Sequence, residues 1–347
     1  MTGERYVEAF HALSAEANEA GLMRRRYGFY WTMILFWMLA VAAILIGVVL
    51  LGPTWWQLLL AALLGLAFAQ LGFLGHEAAH QQVFASAGWN EWMSRVIAGL
   101  FTGLSFGWWV DKHGRHHANP NQDALDPDVD AGVVSFTPEG TDRRSGVMAK
   151  IGEYQGYYFL PVLLFEGASL HVDSFRNILS GRNVTRRWTE IVFVGVHFVG
   201  YLALLFIVLP PGMAIAFFAV QLAVFGFLLG GAFSPNHIGM PTVPHDVDLD
   251  FLRRQVYMSR NVRGGPVVHF FMGGLEYQIE HHLFPMAPRP NLRALQTVVR
   301  RHCAEQGIPY TETSLGEAFR TIIAYLNQVG LKNRDPYTCP LVRQYRG

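Results

Sequence analysis

Apolar residues in this chain run in long unbroken blocks, without the alternation of a half-buried strand or the stripe of a surface helix. Four blocks stand out, Phe29 to Leu51, Trp56 to Leu74, Ile191 to Leu209 and Met213 to Phe233, and none contains Asp, Glu, Lys or Arg. A helix of about 20 residues, rising ~1.5 Å each, matches the ~30 Å hydrocarbon core of a bilayer. Each block is therefore long enough to cross, and none keeps the polar face that a helix of a soluble protein needs. Two further stretches, Val96 to Val110 and Tyr157 to Leu170, are apolar but rich in glycine and aromatics and fall short of about 18 uninterrupted apolar residues. They are expected to be interfacial or re-entrant.

The charges between the blocks orient them. Arg24, Arg25 and Arg26 precede the first block and Arg182, Arg186 and Arg187 the third, while the turns Gly52 to Trp55 and Pro210 to Gly212 carry no Lys or Arg. Cytoplasmic loops collect Lys and Arg, so both termini are expected in the cytoplasm. The expected fold is an all-α membrane protein, with four transmembrane helices in two hairpins and a helical cytoplasmic cap, in the cell (inner) membrane. Residues 1–28 would form a cytoplasmic N-terminal helix, 29–75 the first hairpin, 76–190 the first part of the cap, 191–233 the second hairpin and 234–347 the rest of the cap. The opening stretch to about Leu22 has helical periodicity with acidic and polar positions, which a signal peptide lacks.

Composition supports a membrane protein, with 51% hydrophobic, 15% charged and 14% aromatic residues. The formal charge of +1 gives no reason to expect a nucleic-acid partner. Cys303 and Cys339 suggest neither a disulfide framework nor an iron–sulfur cluster. No dinucleotide fingerprint or haem module is visible, so electrons are expected from a separate donor.

Histidine changes the picture most. Eight of the 14 histidines fall into four short clusters: His76 and His80 in HEAAH, His113, His116 and His117 in HGRHH, His237 in SPNHIGMP, and His281 and His282 in QIEHH. Residues three or four apart on a helix share a face. His76 with His80, His113 with His116 and His117, and Gln278 with His281 and His282 can each point at a common centre. A single zinc takes three or four protein ligands, whereas eight or nine can serve two metal ions. All four clusters emerge on the same expected side.

HEAAH alone also matches the zinc-hydrolase signature, two histidines with a general-base glutamate between them. A membrane zinc metalloprotease of that type would leave HGRHH and QIEHH without a purpose. Glu77 is better read as a carboxylate holding a ligand imidazole through its other ring nitrogen, with Glu280 doing the same beside His281.

The set HEAAH, HGRHH and GGLEYQIEHHLFP, spanning about Leu71 to Pro290, resembles the membrane-bound fatty acid desaturase family. Its last string is similar to the third box of the front-end and acyl-lipid branches, where Gln replaces the first histidine. The resemblance implies an oxygen-dependent oxidoreductase with two iron ions, using O2 and two external electrons to place a double bond in a long acyl chain. It implies His76, His80, His113, His116, His117, His237, His281 and His282 as iron ligands, with Gln278 in the place of a ninth. The stearoyl-CoA branch has Asn four residues before the equivalent of His237, whereas this chain has Phe233 there and Asn236 adjacent. Glu77, Glu280, Asn236 and Asp123 are expected as supports behind the ligands.

An unactivated methylene offers neither an acidic proton nor a leaving group, which is why such a reaction needs the metal centre. The implied partners are a long-chain acyl group on CoA, carrier protein or glycerolipid, membrane lipids, and a separate donor such as ferredoxin with its reductase. The alternative within the same chemistry is a di-iron lipid or alkane hydroxylase.

A few other residues carry expectations. Trp108 and Trp109 are expected as interfacial anchors, and Gln70 as a bond to a neighbouring helix. His197, inside the third block, is a functional pointer by position but more simply an interfacial residue. His171, His245 and His269 stand outside the clusters, and His11 and His302 are expected in solvent. Arg143, Arg144, Arg253, Arg254, Arg289, Arg293, Arg300 and Arg301 are expected to form a basic surface.

Overall fold

The computed structural model describes residues 2–129, 133–142, 144–180, 184–244, 247 and 249–331. Arg143, Arg182, His245 and Cys339 lie outside them. The described chain is mainly helical, and four of its helices are long and apolar enough to cross a membrane: Tyr27–Leu51, Gln57–Ala79, Arg187–Val208 and Pro211–His237. The second is the innermost, with 61% of its most apolar window buried against 17% for the first and 22% for the third. The outer helices turn large apolar side chains such as Leu50 and Ile207 outward, as a lipid-facing surface does.

The helices meet where side chains are small. A Cβ on Gly65 would lie 2.6 Å from the Gln221 carbonyl oxygen, so the second and fourth spanning helices cross backbone against backbone there. Gly226 of the fourth and Gly167 of the helix Glu166–Ser180 are closer still, with a Cβ on Gly226 meeting the Gly167 nitrogen at 2.1 Å. Gln57 Nε2 donates to the carbonyls of Val48 and Gly52, satisfying two acceptors left open where the first helix ends.

The helices run past their apolar blocks, and this matters for the site. The third begins at Arg187, whose guanidinium donates to the carbonyls of Ile178 and Leu179. The fourth continues through Pro235 to His237, so that histidine sits on the end of a spanning helix. His76 likewise lies within the second spanning helix.

The two shorter apolar stretches do not form long helices. Val96 to Val110 breaks into a π-helix, Ile97–Thr102, and the start of the helix Phe106–Ala118. Tyr157 to Leu170 is divided between Gln155–Leu163 and Glu166–Ser180. The wide turns of a π-helix leave carbonyls without their usual partners, and two are taken up by histidines. His197 Nδ1 donates to the Leu100 carbonyl at 3.0 Å, and His171 Nε2 faces the Thr102 carbonyl at 2.9 Å. His197 is therefore buried, its ring held against the π-helix.

A second core lies among the polar segments. Leu13 and Ala17 of the N-terminal helix Thr2–Glu19 pack with Leu252, Val256, Ile279, Leu283, Leu295 and Val299. This fixes the short helix Gln278–Leu283 that carries the last histidine cluster. A parallel pair of three-residue strands, Asn261–Arg263 and Glu312–Ser314, braces the same region, a small addition to the all-α expectation.

Candidate metal centre

Local geometry divides the histidines in a way that spacing alone does not show. Successive residues of an α-helix are turned by about 100°. His113 and His117, four apart on Phe106–Ala118, face one point, while His116 faces another. His281 and His282 are likewise turned toward different points. The outcome is two groups. The imidazole nitrogens of His76, His80, His113, His117 and His281 all lie within 4.8 Å of one another, and those of His116, His237 and His282 satisfy the same limit. The expectation that each cluster serves one centre is corrected for the second and third clusters.

In the first group His113 Nε2 lies 3.1 Å from His76 Nε2, 2.9 Å from His80 Nε2 and 3.0 Å from His117 Nε2, and His281 Nε2 is 3.2 Å from that of His117. One ring nitrogen carries either one proton or one lone pair, so it cannot hydrogen-bond to three others. A shared cation resolves this. With metal–nitrogen bonds of about 2.0–2.1 Å, neighbouring ligand nitrogens sit roughly 2.9–3.4 Å apart, which matches the spacings found. The donor set fits a metal ion.

The second group is built from anchored rings. His116 Nδ1 donates to Asp126, 2.9 Å from Oδ2. His237 Nδ1 donates to the Met258 carbonyl at 2.9 Å, and His282 Nδ1 to Gln255 Oε1 at 2.8 Å. Each ring thus turns an unprotonated Nε2 inward, the usual arrangement behind a metal-bound histidine. His282 Nε2 is buried with no hydrogen-bond partner, as a nitrogen kept for a metal would be. Gln278 Nε2 lies 2.9 Å from His237 Nε2. The rings of His117 and His282 stack at 4.3 Å, joining the two groups.

Burial prepares both groups for metal. It pushes the His80 imidazole down to about 4, and burial together with the neighbouring histidines lowers His113, His117, His281 and His282. Neutral imidazole is the form that binds. His116 differs: burial would lower it, but the charge and hydrogen bond of Asp126, with Asp128, carry it above its ordinary value.

The supporting carboxylates depart from expectation. Glu77 pairs with the buried Arg289, not with an imidazole. The reason is register: Glu77 follows His76 on the helix and is turned about 100° away from the metal side. Arg289 is accordingly an internal counter-ion and not part of a basic surface. Glu280 accepts from Asn261 Nδ2 and the Tyr310 hydroxyl, both at 2.7 Å, and burial pushes its carboxyl up to about 7. The carboxylate behind His116 is Asp126, whereas Asp123 is tied through its backbone nitrogen to the Val243 carbonyl. Asn236 Nδ2 donates to Gln278 Oε1 at 3.1 Å.

The family model for fatty acid desaturases matches residues 53–314. The chain belongs to that family. It is 31% identical to a Delta(6)-fatty-acid desaturase of Caenorhabditis elegans, over 88% of this chain and 71% of that protein. It is 27% identical to a Delta(8)-fatty-acid desaturase of Helianthus annuus, over 94% and 74% of the two chains. An Acyl-lipid (9-3)-desaturase of Physcomitrium patens is 29% identical, over 86% of this chain and 58% of that protein. The protein is thus a membrane fatty acid desaturase, an oxygen-dependent oxidoreductase.

The desaturase has a cavity of about 290 Å³ against its histidines. His76, His113, His116 and His237 open onto it, and the wall is otherwise largely apolar, including Phe73, Ile97, Leu104, Leu163 and Leu229. Such a space suits a hydrocarbon chain. Trp109, expected as an interfacial anchor, lines it and stacks on His113 at 4.4 Å and 25°, and Trp108 is buried in the same wall. Their positions four and five residues before His113 put them one turn back on the same helix, a signal the sequence did contain. Gln70 Nε2 donates to the Phe270 carbonyl at 2.7 Å, as expected of a bond to a neighbour. His302 is buried, contrary to expectation, on the inner face of Leu292–Gln306. His269 is paired with Glu276, and His11 is exposed.

Proposed function

We propose that this desaturase holds two iron ions, one by His76, His80, His113, His117 and His281 and the other by His116, His237 and His282. The observation that carries the reading is His113 Nε2, close to three other imidazole nitrogens at once. A cluster of five nitrogen donors exceeds what tetrahedral zinc takes, which favours iron. Bound there, the irons supply the chemistry by which dioxygen and two electrons remove two hydrogens from neighbouring methylenes and leave a double bond.

The chain's own residues do the rest. The apolar wall orients the acyl chain beside His76 and His113 and keeps water out. Asp126, the Met258 carbonyl and Gln255 hold three rings in the tautomer that leaves Nε2 free. Asn236 donates to the Ala232 carbonyl and to Gln278 Oε1, which turns the Gln278 amide NH2 toward the second group. The Gln278 amide then sits beside His237 at that centre, and the eight histidines hold the two irons.

The further assignments follow the charge pattern and the family. The four spanning helices form two hairpins, with both termini and the metal centre on the cytoplasmic side of the cell membrane. A separate donor such as ferredoxin supplies the electrons. The relatives named for Delta(6) and Delta(8) positions support a double bond toward the carboxyl end of a long chain. Metal analysis of purified protein, with mass spectrometry of cellular lipids, tests the proposal. Two irons per chain and a product two mass units lighter are expected; one zinc per chain with no iron requirement would overturn it.

A further inference from the structure

The last turn of the fourth spanning helix carries His237, and its carbonyls need partners from outside the helix. Past His237 the chain leaves the helix at Ile238 and turns at Gly239 with φ +80, so the end carbonyls cannot be satisfied by the helix's own next turn. Pro235, which has no N–H, weakens the turn further. One residue supplies the missing donors. Arg260 Nε donates to the Pro235 carbonyl at 2.8 Å, Nη2 donates to the Pro235 carbonyl and to the Ile238 carbonyl, the latter at 3.0 Å, and the Arg260 backbone nitrogen donates to the Asn236 carbonyl at 2.8 Å. The carbonyls on either side of Asn236 and His237 are thus held by a single side chain.

Arg260 is 2% exposed. Burial pushes its guanidinium down to about 10, with no carboxylate acting on it among the described residues, so at neutral pH it is still a cation. What offsets the charge is the C-terminal end of a 27-residue helix, where aligned peptide dipoles leave roughly half a negative charge. A buried cation given to backbone carbonyls fixes the place of a backbone. The residues beside Arg260 hold the other side of the same histidine group. Two positions earlier, the Met258 carbonyl accepts from His237 Nδ1. One position later, Asn261 Oδ1 accepts from the Ile279 backbone nitrogen at 2.9 Å and Nδ2 donates to Glu280 Oε2, which ties this segment to the helix of His281 and His282. Residues 258–261 therefore touch both of the helices whose His237 and His282 rings stand 4.8 Å apart.

We propose that Arg260 is a positioning residue of the second histidine group: by gripping the Pro235 and Ile238 carbonyls it fixes the height and rotation of His237, and with them the place of its Nε2 relative to the nitrogens of His116 and His282. The proposal rests on the reading of two metal ions and assigns to Arg260 the geometry of one of them. The first group takes no ligand from the fourth spanning helix, so this hold does not reach it.

The test is Mössbauer spectroscopy of the iron-loaded, full-length protein and of its Arg260→Met and Arg260→Lys variants, with iron content followed during titration with a chelator. Arg260→Met removes every side-chain donor, whereas Arg260→Lys keeps the charge but not the planar fork that grips two carbonyls. In both variants one iron is expected to change its quadrupole splitting and to leave about 10–100 times more readily, the loss being smaller for Arg260→Lys, while the other iron keeps the parent's values. A purely structural role would move both irons together as the melting temperature falls. Both irons changing alike, or neither changing, overturns the proposal while leaving the desaturase standing. Failure of both variants to fold overturns it as well, because Arg260 would then hold the whole fold and not one ligand. A parent protein that binds a single metal ion overturns the two-metal reading itself.

Discussion

Replacing Asp126 should weaken one metal position and spare the other. Its carboxylate is buried and receives His116 Nδ1 at 2.9 Å, the Asn121 backbone nitrogen at 2.8 Å and the Asp128 backbone nitrogen at 2.9 Å. In Asp126→Ala the His116 ring loses the acceptor that fixes its tautomer and direction. Removing such a support costs about 10–100-fold in metal affinity, equivalent to about 1.4–2.7 kcal/mol. The Asn121 backbone nitrogen is also left unpaired, at about 1–3 kcal/mol of stability. Asp126→Asn keeps the shape and an acceptor oxygen, so it should fall between the two. None of the five histidines of the first group touches Asp126, and its affinity should be unchanged. The assay is iron content during titration with a chelator, followed alongside the melting temperature. One iron should leave about 10–100 times more readily, and the other should behave as in the parent protein. Asp123→Ala is the control and should behave as the parent throughout. Equal retention of both irons in Asp126→Ala, or equal loss of both from the folded Asp126→Asn protein, would refute the reasoning.

Other consequences are open to direct measurement. Arg289→Ala leaves Glu77 charged and buried, and should destabilise by about 3–5 kcal/mol in a melting experiment; adding Glu77→Gln should recover a good part of it. Gly103 has φ +71, and a Cβ there would lie 2.7 Å from His197 Cδ2, so Gly103→Ala should cost at least ~1–2 kcal/mol. By contrast Gly114, helical with open space around it, should accept Ala with a gain of up to about 1 kcal/mol. Metal-free protein should lose stability as the pH falls. The folded His80 sits at about 4, below its ordinary 6.5, so between these values the unfolded chain binds more protons. The lowered His113, His117, His281 and His282 act in the same direction, and melting temperatures of metal-free protein at pH 7 and pH 5 check the sign. A melting temperature that rose on acidification would count against the buried neutral cluster.

The spanning helices were legible because length and the absence of charge are local properties. The same is true of the eight histidines as a set. What spacing could not supply was the partition between centres, since i, i+3 and i+4 share a broad face but not a single direction. A difference of one residue is a turn of about 100°, and the tandem pairs His116–His117 and His281–His282 use that turn to feed two points at once. The first cluster, whose histidines are four positions apart, feeds only one. His237 and Gln278, brought together from the end of a spanning helix and a short helix 41 residues later, close the other. The supporting groups were hidden for a different reason. Asp126 reaches His116 through a loop in which Asn121 and Ala124 both take left-handed φ, 54 and 58, and nothing in the run of Asp123, Asp126 and Asp128 marks which carboxylate that loop delivers. Glu77 was misassigned because its neighbour His76 suggested a partner, when the helix turns the two away from each other and Arg289 arrives from 212 residues on. The adjacency of two histidines is thus the feature that feeds two groups of imidazoles, and the adjacency of a histidine and a glutamate, by the same rotation, is what keeps that carboxylate out of the site.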